Sequence, residues 1–176
     1  MASGLIFDPL KILRLAPLIT TTTSLTYAGN EFFYLSNFLA PEHGDKSSGI
    51  LPTYFRRMFN TGVWIVIGVN SLTITSSIAN LVTLPPSAGS LLSRLIPRST
   101  PSGRWLYGAG LFFTIMHFAF VPFVAYPVRD IIEDRSKGKS TRDLKQWLDV
   151  HRVRVLTADL PGWLCFLAGV LATVSV

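Results

Sequence analysis

Glu31, His117, His151 and Arg154 are the residues whose types and surroundings could do chemistry in this chain. Each lies in or beside an apolar stretch, where an ionisable side chain is costly and either finds a partner or serves a function. Tyr27, Glu31 and Tyr34, with Asn30 and Asn37 alongside, share one face if the segment is helical. The bland reading of Glu31 is a carboxylate bonded to a neighbouring helix; the functional one is a general base. His117, one turn after Thr114, is either a hydrogen-bonded packing residue or a second proton carrier. Trp147, His151 and Arg154 follow the i, i+4, i+7 spacing of one helical face. They read as a charged interfacial turn or as a polar lid in which Arg154 holds an oxygen anion and His151 moves a proton. Arg154 and Asp159 stand five apart and reach each other only loosely on an α-helix. Asn70, Thr73, Ser77 and Asn80 recur at spacings of three and four, a pattern that glues membrane helices together; Asn70 and Asn80 are its candidates for ligand contact.

These side chains must be carried by helices inside a bilayer. Four segments are long and apolar enough, at about 20 residues each: 15–39, 59–84, 105–128 and 153–176. The expected fold is all-α, a single integral membrane domain over 1–176 built as an antiparallel four-helix bundle. Pro41 to Met58 and the Pro/Gly/Ser-rich Pro85 to Arg104 read as loops, and 129–152 as a charged cytosolic loop. Ser140 and Thr141 ahead of Asp143 can start the fourth helix in water, while Pro122 and Pro127 should kink or end the third. Trp64 and Trp105 suit interfacial anchors.

Composition agrees. The chain of 176 residues is 49% hydrophobic and only 15% charged, against about 25% in soluble domains. Of its 16 basic residues, Lys11, Arg14, Arg94, Arg98 and Arg104 flank one side of the expected spans and the rest flank the other. The positive-inside rule then puts the first and third loops in the cytosol and both termini in the lumen, as in a multi-pass protein of the endoplasmic reticulum. The net charge of +6 suits anionic lipid headgroups, and no basic stripe interleaved with aromatics points to nucleic acid. Cys165 alone allows no intrachain disulfide or cysteine metal cluster. The N-terminal stretch, with Asp8, Lys11 and Arg14 ahead of it, reads as a retained helix and not a cleaved leader. Phosphate-loop, zinc-protease and dinucleotide fingerprints are missing, so neither a metal nor an organic cofactor is expected.

The runs "PFVAYPVRDIIEDRS" and "WLDVHRVRVLTADLPGWLCFLAGVL", with "TYAGNEFFYLSNFLAP" in the first segment, resemble the anthrone oxygenase-like family of small four-span membrane proteins. The likeness rests on Pro122-Phe123 and on Trp147, His151 and Arg154. The chain differs in having Val124 after the Pro-Phe pair and Arg129-Asp130 after the third span. Many fungal members of that family sit in secondary-metabolite pathways. The resemblance therefore implies an enzyme acting on an aromatic polyketide or related lipophilic metabolite.

Three functions follow. In the first, Glu31 or His117 removes a proton, Arg154 stabilises the oxyanion, and the enolate reacts directly with dioxygen. In the second, the same groups drive a cyclisation or isomerisation without oxygen. In the third, the chain is a membrane assembly partner or carrier. A homo-oligomer is a further expectation for the bundle, since four helices give little shielding for so many polar faces. For catalysis the expected site is one cavity with Glu31, His117, His151 and Arg154 as acid–base and charge-stabilising groups. Tyr27, Asn30, Tyr34, Asn70 and Trp147 would contact the substrate.

Overall fold

The structure, a computed structural model, describes residues 8–84 and 102–174. Every regular element among them is helical. Helix α1 is Pro9–Ser36, α2 Gly44–Thr83, α3 Gly103–Phe118, α4 Val121–Ile132, α5 Ser140–Arg154 and α6 Leu160–Thr173. A π-helical turn, Val155–Asp159, joins α5 to α6 without a break. Two short 3-10 turns, Asn37–Leu39 and Pro41–His43, join α1 to α2.

Three stretches are long and apolar enough to cross a membrane: Asp45–Thr83, Gly103–Ile132 and Ser140–Thr173. They carry the expected spans 59–84, 105–128 and most of 153–176. Helix α1, expected as the span 15–39, has 28 residues but its Thr, Asn and Glu content keeps it below that apolarity. Its threonines turn their hydroxyls onto their own helix: Thr21 donates to the Pro17 carbonyl at 2.6 Å and Thr22 to that of Leu18 at 2.7 Å. Internal bonding of this kind lets a Thr-rich helix pack in apolar surroundings. Trp64 and Trp105 both point outward, as interfacial anchors would.

Two loop assignments are corrected. The stretch 41–58 is not a loop beyond His43, because α2 begins at Gly44. Its Gly, Ser and Pro content suggests a connection, yet Leu51 and Phe55, one turn apart, are fully buried. The charged loop 129–152 shrinks to 133–139, with α4 reaching Ile132 and α5 starting at Ser140. There Asp134, Lys137 and Gly138 adopt positive φ. The expected kink near Pro122 is present, since α3 stops at Phe118 and α4 begins at Val121. Most of the expected loop 85–104 lies outside the described residues, as do Arg94 and Arg98.

Interior prolines organise the packing. A proline inside a helix donates no backbone bond, so the carbonyl four residues back loses its partner. Pro17 does this to Leu13, whose carbonyl instead accepts from Asn80 Nδ2 of α2 at 2.7 Å. Pro52 does it to Ser48, whose carbonyl accepts from Ser140 Oγ of α5 at 3.0 Å. Close by, Tyr107 of α3 donates to the Arg14 carbonyl at 2.7 Å. At Pro17 and Pro52 the freed carbonyl therefore becomes a polar tie between two helices, which answers the requirement that backbone groups in apolar surroundings be satisfied.

Two apolar clusters sit at opposite ends. One gathers Leu35, Leu51, Phe55, Val128, Ile131, Leu144, Trp147 and Leu148; the other gathers Leu84, Tyr107 and Phe166. At the second, Gly110 lets α3 and α6 approach closely, because a Cβ there would meet the Phe166 ring at 2.6 Å. The ionisable side chains lie between the two clusters.

The proline ties predict a specific reversal. Asn80→Leu should lower stability in detergent by about 1–3 kcal/mol, the cost of a buried carbonyl left without a donor. Pro17→Ala, which restores the backbone donor to Leu13, should recover most of that loss in the double variant when unfolding midpoints are compared.

Candidate active site

Glu31 comes from α1, His117 from the last turn of α3, and His151 and Arg154 from the end of α5. The structure brings these four together, joined by Asp159 from the π turn. His117 Nδ1 lies 2.8 Å from Asp159 Oδ1, and Arg154 Nε donates to Asp159 Oδ2 at 3.3 Å. Arg154 Nη2 lies 3.1 Å from His151 Nδ1, and His151 Nε2 lies 3.0 Å from the Ala28 carbonyl of α1. A guanidinium only donates and a carbonyl only accepts. His151 is therefore neutral, with its proton on Nε2 and its lone pair on Nδ1. Its ring is held between Trp147, stacked at 4.8 Å between centroids, and the bonds at its two nitrogens. Phe55 in turn meets Trp147 edge-on at 5.6 Å.

Glu31 is the exception. Its Oε2 comes to 3.9 Å from His151 Nδ1, but both atoms are acceptors in this state, so the approach is no ion pair. Among the described residues its carboxylate has no hydrogen-bond partner, and its side chain keeps 12% accessibility. Gly62 of α2 makes room beside it: a Cβ there would fall 3.7 Å from Glu31 Oε1 and into the Tyr27 hydroxyl. The cluster thus consists of four groups bonded to one another and one carboxylate left free.

Asp159 is the site residue the sequence reading left out. On an α-helix, residues five apart point about 140° away from each other. The π turn closes i→i+5 bonds, shown by the Leu160 amide bonding to the Val155 carbonyl, and it swings Asp159 back toward Arg154. The sequence does carry a signal, Pro161 in the first turn of α6. A proline within a continuous helix denies the carbonyl of Thr157 its donor and displaces the chain there.

Other expected positions divide. Trp147 is buried against His151, and Tyr27 lies beside Glu31. Asn30 and Tyr34 are corrected: both are exposed and do not line the site. The packed stripe of α1 is Pro17, Thr21, Ala28 and Leu35. At 3.6 residues per turn Glu31 sits at its margin, and Tyr34 and Asn30 lie about a quarter turn or more from its centre. Asn70 is buried but bonds the Val66 carbonyl of its own helix at 2.9 Å. His43, in the turn before α2, stands apart from the cluster. Among the described residues no three His, Cys, Asp or Glu side chains are arranged to hold a metal ion.

Comparison with known proteins gives the cluster a chemical setting. Epoxidase gkaX of Penicillium citrinum is 30% identical over 162 residues, covering 90% of this chain and 92% of that protein. The chain belongs to the family of epoxidase gkaX. Oxaleimides biosynthesis cluster protein N of Penicillium oxalicum is 31% identical over 172 residues, covering 94% of this chain and 90% of that one. Epoxidase pydX of an Acremonium species is 28% identical over 168 residues, covering 96% and 98%. These names support an oxygenating enzyme of fungal secondary-metabolite biosynthesis, which is the coarser part of the anthrone oxygenase-like resemblance. No family model matches the chain, so that closer likeness gains nothing here. No solved structure matches it either.

The ion network makes its own prediction. Asp159→Ala should leave Arg154 as an uncompensated buried charge and cost about 3–5 kcal/mol in denaturant unfolding. Adding Arg154→Leu should return much of that loss, because removing both partners of a buried pair is far milder than removing one. Additive losses in the double variant would show that the two residues do not act as a pair.

Proposed function

We propose that this protein is a membrane-embedded oxygenating enzyme acting on a lipophilic, polyketide-like substrate, with Glu31 as its general base. The observation that carries the proposal is the free Glu31 carboxylate beside four groups already committed to one another, in a relative of named epoxidases. On this reading the chain is a four-span antiparallel bundle of the endoplasmic reticulum with lumenal termini. The site then lies in its cytosolic half.

The chemistry balances without an outside reductant. Glu31 takes a proton from a carbon next to a carbonyl, and Arg154, which has N–H groups beyond those given to Asp159 and His151, stabilises the enolate oxygen. The enolate passes one electron to dioxygen, and the two radicals join in a carbon–oxygen bond. The peroxide recovers the proton, so substrate plus dioxygen gives a hydroperoxide. Transfer of its distal oxygen to a carbon–carbon double bond gives an epoxide and an alcohol, with both oxygen atoms retained. The relatives' names speak of epoxidation and not of ring closure, which favours this course over a cyclase.

Glu31→Gln keeps the shape and removes the base. Turnover should fall by about 100-fold or more, the low end for general acid–base catalysis, in a protein that still purifies folded. Under oxygen-18 gas the wild-type product should carry both labelled atoms. Near-normal turnover in Glu31→Gln, or a product with one labelled atom and the other lost as water, would contradict the proposal.

A further inference from the structure

Between α1 and the junction of α5 with the π turn lies a groove of about 220 Å³. Leu25, Gly29 and Phe32 form one wall and Val155 and Leu156 the other, with His151 at its floor. We propose that this groove seats an unbranched apolar chain of the substrate, entering sideways from the lipid. The inference rests on the proposed function, and it names the part of the substrate that the protein grips.

Four observations carry it. The walls are hydrocarbon, so a polar ligand would lose its hydrogen bonds there. The floor is His151, which is bonded to Arg154, so an occupant of the groove lies against one member of the cluster. The space beside Gly29 is open, since a Cβ built there meets nothing within 4 Å. At the rim, the Arg152 guanidinium lies over the Phe32 ring at 5.2 Å and sets a cation where the apolar walls end. The groove is smaller than the roughly 300–1,000 Å³ of a pocket for a whole drug-sized ligand, so it takes a slender segment, not a fused ring system. The π turn supplies one wall of the groove and the side chain behind its floor, because Val155 begins the turn that ends at Asp159.

Gly29→Leu tests this by filling the groove from within. Leucine is a better helix former than glycine, and nothing stands in its way, so the fold should hold. The control is Gly68→Leu, on an exposed face of α2 that is equally open. The probe is a long-chain fatty alcohol carrying a photoreactive diazirine, added to the purified full-length protein in detergent. In the wild type and in Gly68→Leu it should label the segment around His151 to Leu156. In Gly29→Leu that labelling should fall by about tenfold or more, the effect of losing contact with about two methylene groups. With the pathway substrate, Gly29→Leu should raise KM by a similar factor and leave kcat within about twofold of wild type, the signature of lost uniform binding. Unchanged labelling in Gly29→Leu would overturn the groove. Lost labelling in a protein whose product gains no oxygen would overturn the proposed reaction and leave the groove standing.

Discussion

Asp159 is the residue on which the arrangement of the site depends. A lone carboxylate in an apolar helix pair is unfavourable, and so is a lone guanidinium. Here each is the other's partner, and the carboxylate's second oxygen takes His117 from a helix far away in sequence. That one group links α3 to the junction of α5 and α6, and through Arg154 and His151 the chain of bonds continues to the Ala28 carbonyl of α1. Three of the long helical rods are thereby fixed at one level. Among the described residues Glu31 has no hydrogen-bond partner, so its carboxylate is the one member of the group not held by a bond to the others.

The backbone irregularities have the same origin as the polar ties. Pro17, Pro52 and Pro161 each deprive a carbonyl of its helical donor. At the first two, Asn80 and Ser140 fill the vacancy from another helix. At the third, the chain widens into the π turn, which brings Asp159 to Arg154 and lines the groove beside Gly29. A defect that would weaken an isolated helix here specifies which helices meet and in what register, a role seen for buried polar contacts generally.

Much of this was legible in the sequence. The convergence of Glu31, His117, His151 and Arg154 follows from topology, because helices that run in opposite directions bring distant residues to one depth. The face of α1 was harder to read. Tyr27, Asn30 and Tyr34 look like companions of Glu31 when polar residues define the face, yet the packing stripe is set by Pro17, Thr21, Ala28 and Leu35. Asp159 was out of reach of a 3.6-residue period, since only a π turn makes a spacing of five meaningful. The early start of α2 was hidden because Ser48 and Pro52 gain their stability from Ser140, some ninety residues on. Local propensity cannot report a partner so remote.

Nitrogen-15 NMR of the histidine-labelled protein in detergent near neutral pH, with His151→Gln assigning the signals, reads the bonding of the cluster itself. The expected result is a neutral His151 with its proton on Nε2 and a hydrogen-bonded lone pair on Nδ1, together with a His117 whose Nδ1 proton is held by Asp159. An imidazolium at His151, or a neutral ring with its proton on Nδ1, would mean that Arg154 is not its partner. Glu31 would then be paired with His151 and could not serve as the proposed base.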